Sequence, residues 1–136
     1  MKVDIYNRIP QRPPFLFVDE IIDEVENKIF TAVTFGPDQD FFKGHFPGNP
    51  IVPGVILQEC LFQSAGLLLS KSGSGLGVVT RVQNAKFKNL VRPLDKIVME
   101  VSRIETISNA TYLKGKSVVN GKVVLTIEFS VATIEG

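Results

Sequence analysis

Hydrophobic positions are distributed in two different ways along this chain. From Pro53 to about Ser70 no residue blocks a helix, and roughly 18 residues at 1.5 Å each predict a rod about 27 Å long. Leu57, Leu61, Ala65, Leu68 and Leu69 supply one face, while Val55, Phe62, Gly66 and Leu67 make much of the remaining circumference apolar. A helix greasy nearly all round must be wrapped by other structure. Elsewhere the apolar residues come in short runs rich in Phe, Val and Ile, and Ile97 to Ile104 and Leu125 to Val131 alternate as strands with one buried face do.

These runs predict strands over Phe15–Val25 and Ile29–Phe35, turning at Asn27 and Lys28, and then over Val78–Phe87, Ile97–Ile107, Thr111–Val119 and Val123–Ile134. Asn120-Gly121 is the strongest hairpin signal, because both residues tolerate the positive φ of a type I′ turn. Val3 to Pro14 ends in IPQRPP, whose prolines oppose a long helix and predict an extended or turning entry segment. Gly36 to Pro53 holds Pro37, Pro47, Pro50 and Pro53 with Gly36, Gly44 and Gly48, so it reads as a long functional loop. Lys71–Gly77, KSGSGLG, reads as a short connection after the helix. The fold class expected is α+β, a single domain over residues 1–136 in which a long central helix is wrapped by a curved antiparallel sheet of five to six strands.

Charge and composition narrow the function classes. Fifteen basic against fourteen acidic residues give a formal charge of +1, without the basic excess of a nucleic-acid binder. Cys60 is the sole cysteine and has no partner for an internal disulfide, and MKVDIYNR lacks the apolar core of a secretory signal. Val55–Leu69 is too short and, with Gln58, Glu59 and Gln63 inside it, too polar to span a bilayer. The expectation is a cytoplasmic protein with no membrane span.

Candidate chemistry concentrates between Phe41 and Ser70. His45, the one histidine, lies on the proline- and glycine-rich loop, where an imidazole titrating near neutral pH suits a general base. Glu59, 14 residues on, has Val55, Ile56, Phe62 and Ala65 one turn away on either side. A carboxyl buried there has a raised pKa and suits a proton donor; a solvated stripe shared with Gln58 and Gln63 explains it equally well. Gly54 follows Pro53 at the helix start, where an amide lacks an intrahelical acceptor and a glycine admits a substrate carbonyl. A base, an acid and an amide donor are the parts for removing a proton α to a thioester carbonyl and expelling a β-hydroxyl, with no metal or organic cofactor required.

GHFPGNPIVPGVILQECLFQSAG resembles the signature of the β-hydroxyacyl-acyl carrier protein dehydratases of bacterial type II fatty acid synthesis: GHFPG, a proline-rich link, PGV, then a helix bearing E-x-x-x-Q. The similarity continues through PQRPPFLFVDEI, AKFKNLVRPLD and VNGKVV. It implies a hot-dog fold and dehydration of (3R)-3-hydroxyacyl chains on acyl carrier protein to trans-2-enoyl thioesters. By position, His45 and Glu59 match the catalytic pair, Gly54 the oxyanion amide and Gln63 a glutamine that orders the site. It also implies that histidine and carboxylate come from different subunits of a homodimer, often assembled as a trimer of dimers. Glu59 in place of aspartate resembles the dehydratase branch rather than the isomerising one. Lys86, Lys88 and Arg92, with Arg81 and Lys71, are candidate contacts for the acidic carrier protein, though ordinary solvated strand residues fit them almost as well. Four features depart from the family pattern: Gln11 replaces a histidine, Pro14 an aromatic and Phe62 a commonly small residue, and the segment after the helix is short. A thioesterase or a non-catalytic acyl-carrier binding module on the same fold are the competing expectations.

Overall fold

The computed structural model describes residues 2–72 and 76–134. Six antiparallel strands form one sheet: β1 (Glu20–Val25), β2 (Lys28–Thr34), β3 (Leu76–Phe87), β4 (Lys96–Ile107), β5 (Ala110–Val119) and β6 (Lys122–Ile134), in the spatial order β1-β2-β4-β5-β6-β3. Three helices accompany it, α1 (Lys2–Arg8), the single turn α2 (Phe41–Gly44) and the long α3 (Gly54–Leu69), which passes through a 3₁₀ turn at Ser70–Ser72.

The strand pairs obey the turn chemistry. Val119 pairs with Lys122 across Asn120 and Gly121, at φ 50° and 79°, as a type I′ turn requires. Val25 pairs with Lys28 across Glu26 and Asn27, the latter at φ 66°, so the first turn lies one residue earlier than expected and Lys28 already belongs to β2. The first strand is also shorter than predicted, beginning at Glu20: residues 15–17 run beside the helix, where Phe17 N–H is held by the Gln63 side chain.

Helix α3 lies on the sheet and contacts β2, β4 and β5 most closely. Leu57, Leu61, Ala65 and Leu68 are buried, as are Cys60, Gln63, Ser64 and Leu67, so the helix is covered on the sheet side, whereas Phe62, Gly66 and Leu69 are half-buried and Val55 is exposed. On β5 the inward positions are Thr111, Leu113, Gly115 and Ser117. Gly115 lies against the helix. A Cβ there would stand 3.1 Å from Leu61 Cδ1 and 3.2 Å from Ile127 Cγ2, tighter than most real Cβ contacts, so a larger residue must push these side chains aside. Beside it Thr31 Oγ1 and Ser64 Oγ, both fully buried, are 2.8 Å apart, and Ser64 also donates to Cys60 O at 2.8 Å.

The amino-terminal segment corrects the expectation of an extended entry. Residues 2–8 form α1, and the prolines act only after it, at Pro10, Pro13 and Pro14. No breaker lies within those seven residues, and Ile5 and Ile9, one helical turn apart, are both buried. A short helix with such a stripe is stabilised by docking rather than by propensity. Arg8 completes the docking: its guanidinium donates to both carboxylate oxygens of Glu24 (3.0 and 2.6 Å), to Leu67 O (2.6 Å) and to Ser70 Oγ (2.9 Å). It thereby ties β1 to the carbonyl-rich end of α3, the end that favours a cation. Of the predicted connection Lys71–Gly77, residues 73–75 lie outside the described residues, and Leu76 and Gly77 already belong to β3.

Candidate active site

His45 follows α2 directly. Its backbone N–H donates to Phe41 O at 3.1 Å, closing the single helical turn. That turn is anchored by edge-to-face aromatic pairs running Phe15–Phe17–Phe35–Phe41–Phe42, at centroid separations of 4.8, 5.8, 5.3 and 4.7 Å. After His45, Phe46 and Asn49 exchange backbone hydrogen bonds (2.8 and 3.0 Å) around Pro47 and Gly48. Gly48 has φ 73°, so the Pro-Gly pair supplies the fixed and the positive φ of a type II turn. This turn brings Ile51 back onto the histidine: Ile51 N–H donates to His45 O at 3.0 Å, and His45 Nδ1 lies 2.9 Å from Ile51 O. A carbonyl only accepts, so Nδ1 carries the proton and a neutral His45 keeps Nε2 as its basic nitrogen. The Phe46 ring stacks on the imidazole at 4.0 Å.

Glu59 stands in the second turn of α3, half-buried. Burial raises its carboxyl above the ordinary range, an effect opposed in part by the hydrogen bond from Gln63. Gln63 is 1% exposed and fully used: Nε2 donates to Glu59 Oε2 (3.0 Å) and Phe15 O (3.0 Å), and Oε1 accepts from Phe17 N–H (2.8 Å). The E-x-x-x-Q spacing is thus an i,i+4 pair in which the glutamine orients the carboxyl and clips the segment 15–17 to the helix. Cys60 is buried beside them, its thiol pushed up by burial and by the charge of Glu59, as an inert group would be.

Glu59 opens into a cavity of about 740 Å³, the size of a small-molecule site. Phe62, Gly66 and Leu69 continue the α3 wall, residues 7–11 form a second, and Val79, Arg103, Thr111 and Val131 from the sheet form a third. Gln11 lines it with a buried Oε1 that has no hydrogen-bond partner among the described residues, and Phe62 packs edge-to-face on Phe129 at 4.9 Å. His45 is not part of this wall, and among the described residues no hydrogen bond joins it to Glu59.

Gly54 is the first residue of α3, one place earlier in the helix than expected, with Pro53 as its cap. Its N–H donates to no acceptor among the described residues. The Phe87 ring lies over it, 3.1 Å from where a Cβ would be, so a larger residue here would have to push the ring aside. Lys86 and Lys88 are exposed at the end of β3. Arg92 is exposed as well, but its guanidinium is engaged, donating to Asn49 Oδ1 (2.9 Å) and Pro50 O (3.4 Å). A side-chain reading of the sequence missed the Ile51 and Phe15 carbonyls and the Phe17 amide, because backbone groups leave no mark on residue identity. It also missed the cavity walls from α1 and from β4–β5, which no motif links to Glu59.

A long helix wrapped by one antiparallel sheet is the hot-dog fold. The chain belongs to the FabA-like family, whose model matches residues 9–128. The 3-hydroxyacyl-[acyl-carrier-protein] dehydratase FabZ of Thermotoga petrophila is 38% identical over 125 residues, 91% of each chain. That of Klebsiella pneumoniae is 39% identical over 127 residues, 89% of this chain and 84% of its own. Among solved structures, the dehydratase heterocomplex ApeI:P from Xenorhabdus doucetiae superposes with a TM-score of 0.83 over 96% of this chain and 91% of its own, at 13% identity, which speaks for the fold alone.

Proposed function

We propose that this protein is a hydro-lyase that dehydrates (3R)-3-hydroxyacyl thioesters on acyl carrier protein to trans-2-enoyl thioesters in fatty acid or related acyl-chain synthesis. Its membership of the family of the FabZ dehydratases supports the activity. The observation that carries the assignment of roles is the complementary protonation of the two groups: an imidazole whose Nδ1–H is spoken for by Ile51 O, and a carboxyl whose burial favours its protonated form. His45 Nε2 takes the α-proton, and the electron pair moves toward the thioester carbonyl, whose developing oxyanion accepts from Gly54 N–H at the positive end of α3. Collapse of this enolate expels the β-hydroxyl, which leaves as water with the proton of Glu59. Return of the proton from imidazolium to carboxylate through water resets the site.

The working site in this reading is assembled from two copies, His45 of one beside Glu59 of the other, a reading supported by the Glu59 cavity wall, which does not include His45. β3 is the surface that suits this pairing. It is a sheet edge of twelve residues, all exposed, with Leu76, Val78, Val79, Val82 and Phe87 among them. A long apolar edge of this kind is a template for another strand. The homodimer, or a trimer of dimers built from it, acts on the acyl group carried by the pantetheine arm of acyl carrier protein, and Lys86 and Lys88 are the basic groups offered to that acidic partner. The reaction needs no cofactor, no nucleic acid is bound, and one hot-dog domain spans residues 1–136. No helix among the described residues is long and apolar enough to cross a membrane, and we place the protein in the cytoplasm.

Turnover of 3-hydroxyacyl-carrier thioesters by the purified protein tests the activity. Subunit complementation tests the assembly: His45→Ala and Glu59→Gln proteins, each inactive, regain activity when unfolded and refolded together, because half of the sites in a mixed dimer then carry both groups. Absence of any recovery in a mixture shown to contain mixed dimers would sink the shared site.

A further inference from the structure

We infer that Arg92 is a positioning residue for His45, an assignment that deepens the proposed dehydratase site and rests on it. The connector between β3 and β4 grips the catalytic loop at three places. Val52 N–H donates to Val91 O at 2.8 Å, and Leu94 N–H to Phe35 O at 2.8 Å. Between these anchors Arg92 Nη1 spans Asn49 Oδ1 at 2.9 Å and Pro50 O at 3.4 Å. The arginine is itself set in place, since Asp95 Oδ2 accepts from Arg92 N–H at 2.9 Å and Asp95 N–H returns a bond to Arg92 O at 3.2 Å. Asn49 and Pro50 are the two residues that lead into Ile51, whose carbonyl accepts from His45 Nδ1–H. One guanidinium thus holds the last turn of the loop against the rigid connector, and the orientation of the Ile51 carbonyl, which selects the imidazole tautomer, depends on that hold. The planar guanidinium suits the task because it holds Nη1 in a fixed orientation between the two oxygens.

This role differs from a contact with the carrier protein, and three variants separate the two. Arg92→Ala, Arg92→Lys and Asn49→Ala are assayed with a carrier-borne 3-hydroxyacyl substrate and with the same acyl group on a short pantetheine thioester lacking the carrier. Positioning predicts that Arg92→Ala lowers kcat about three- to tenfold on both substrates with KM within about twofold, since small misplacements of a reacting group cost rate. Arg92→Lys keeps the charge but offers a flexible point donor, and it shows part of the same loss. Arg92→Ala combined with Asn49→Ala is no worse than Arg92→Ala alone, because both remove one contact.

His45 is the only histidine, so the imidazole nitrogens of a ¹⁵N-labelled sample report it without ambiguity. The unmodified protein shows protonated Nδ1 and unprotonated Nε2 above the titration, and Arg92→Ala shows a mixture of tautomers. An unchanged nitrogen spectrum in Arg92→Ala overturns the inference, as does a loss confined to a raised KM for the carrier-borne substrate. Should Arg92→Ala fold poorly, Arg92→Lys and Asn49→Ala carry the same readouts. If the unmodified protein turns over neither substrate, the dehydratase assignment fails, while the nitrogen spectrum still decides whether Arg92 orders the imidazole.

Discussion

Replacing Gln63 by leucine tests whether one buried amide serves both the fold and the acid. The two side chains are similar in volume, so the change removes hydrogen bonds without opening a cavity. Phe17 is 4% exposed, and its N–H, which donates to Gln63 Oε1 at 2.8 Å, is left as a buried unpaired donor costing about 1–3 kcal/mol. The Phe15 carbonyl is replaced more cheaply, because Phe15 is 50% exposed and water can reach that end of the segment. Loss of the bond to half-buried Glu59 adds about 0.5–1.5 kcal/mol. A total near 3 kcal/mol, set against an unfolding entropy of about 2.1 cal/mol/K per residue over 136 residues, lowers Tm by about 10 °C.

The same variant moves the acid. Burial raises the Glu59 carboxyl and the Gln63 hydrogen bond holds it down, so removing the bond raises it further and shifts the alkaline limb of the pH–kcat profile, where the proton donor is lost, to higher pH. Thermal unfolding by circular dichroism and turnover across pH read the two effects. A Tm within about 2 °C of the unmodified protein refutes the energetic argument, and an unmoved limb refutes the hold of Gln63 on Glu59.

Other changes follow from the same contacts. His45→Ala or Glu59→Gln lowers kcat by about 10²- to 10⁴-fold in steady-state assays, while Glu59→Gln raises stability at neutral and alkaline pH. The sign follows from the raised Glu59 carboxyl: ionising it is more costly folded than unfolded, so the native protein loses stability as pH rises from the unfolded value, about 4.3, through the folded one, and glutamine removes that loss. Glu24 behaves oppositely. Hydrogen bonding from Arg8, with the charges of Arg8 and Lys71, holds its carboxyl below the usual range. The clamp is therefore complete above about pH 4.3 and is lost as pH falls through the folded value. Urea titration should give Glu24→Gln an unfolding free energy lower than that of the unmodified protein by roughly 1–2 kcal/mol at neutral pH, with the two converging in acid. Gly115→Ala costs about 1–3 kcal/mol by forcing Leu61 and Ile127 apart, measured by the same titration.

Much of this was legible in the residues. An apolar pattern running nearly round the helix from Pro53 to Ser70 demands burial on several sides, and only a wrapping sheet supplies it. Asn120-Gly121 specifies its turn through two positive φ angles. The isolated histidine and the glutamate inside an apolar helix are chemically conspicuous, and their neighbourhood resembled a known signature. Other features have no local cause. Helix α1 forms because Ile5 and Ile9 find a core to enter and Arg8 finds Glu24, contacts that a seven-residue segment cannot announce. Periodicity cannot say that β3, apolar as it is, lies exposed at the sheet edge.

Residue types and their spacing were enough to single out His45 and Glu59 as candidates for proton chemistry and to require that a long helix be enclosed, because side-chain pKa and hydrophobic periodicity are local properties. The folded chain adds the contact of His45 Nδ1 with Ile51 O and the bonds by which Gln63 joins Glu59 to the segment 15–17. Those outcomes depend on backbone carbonyls and amides brought together across dozens of residues, groups that every residue carries alike and that acquire a role only through their position in space.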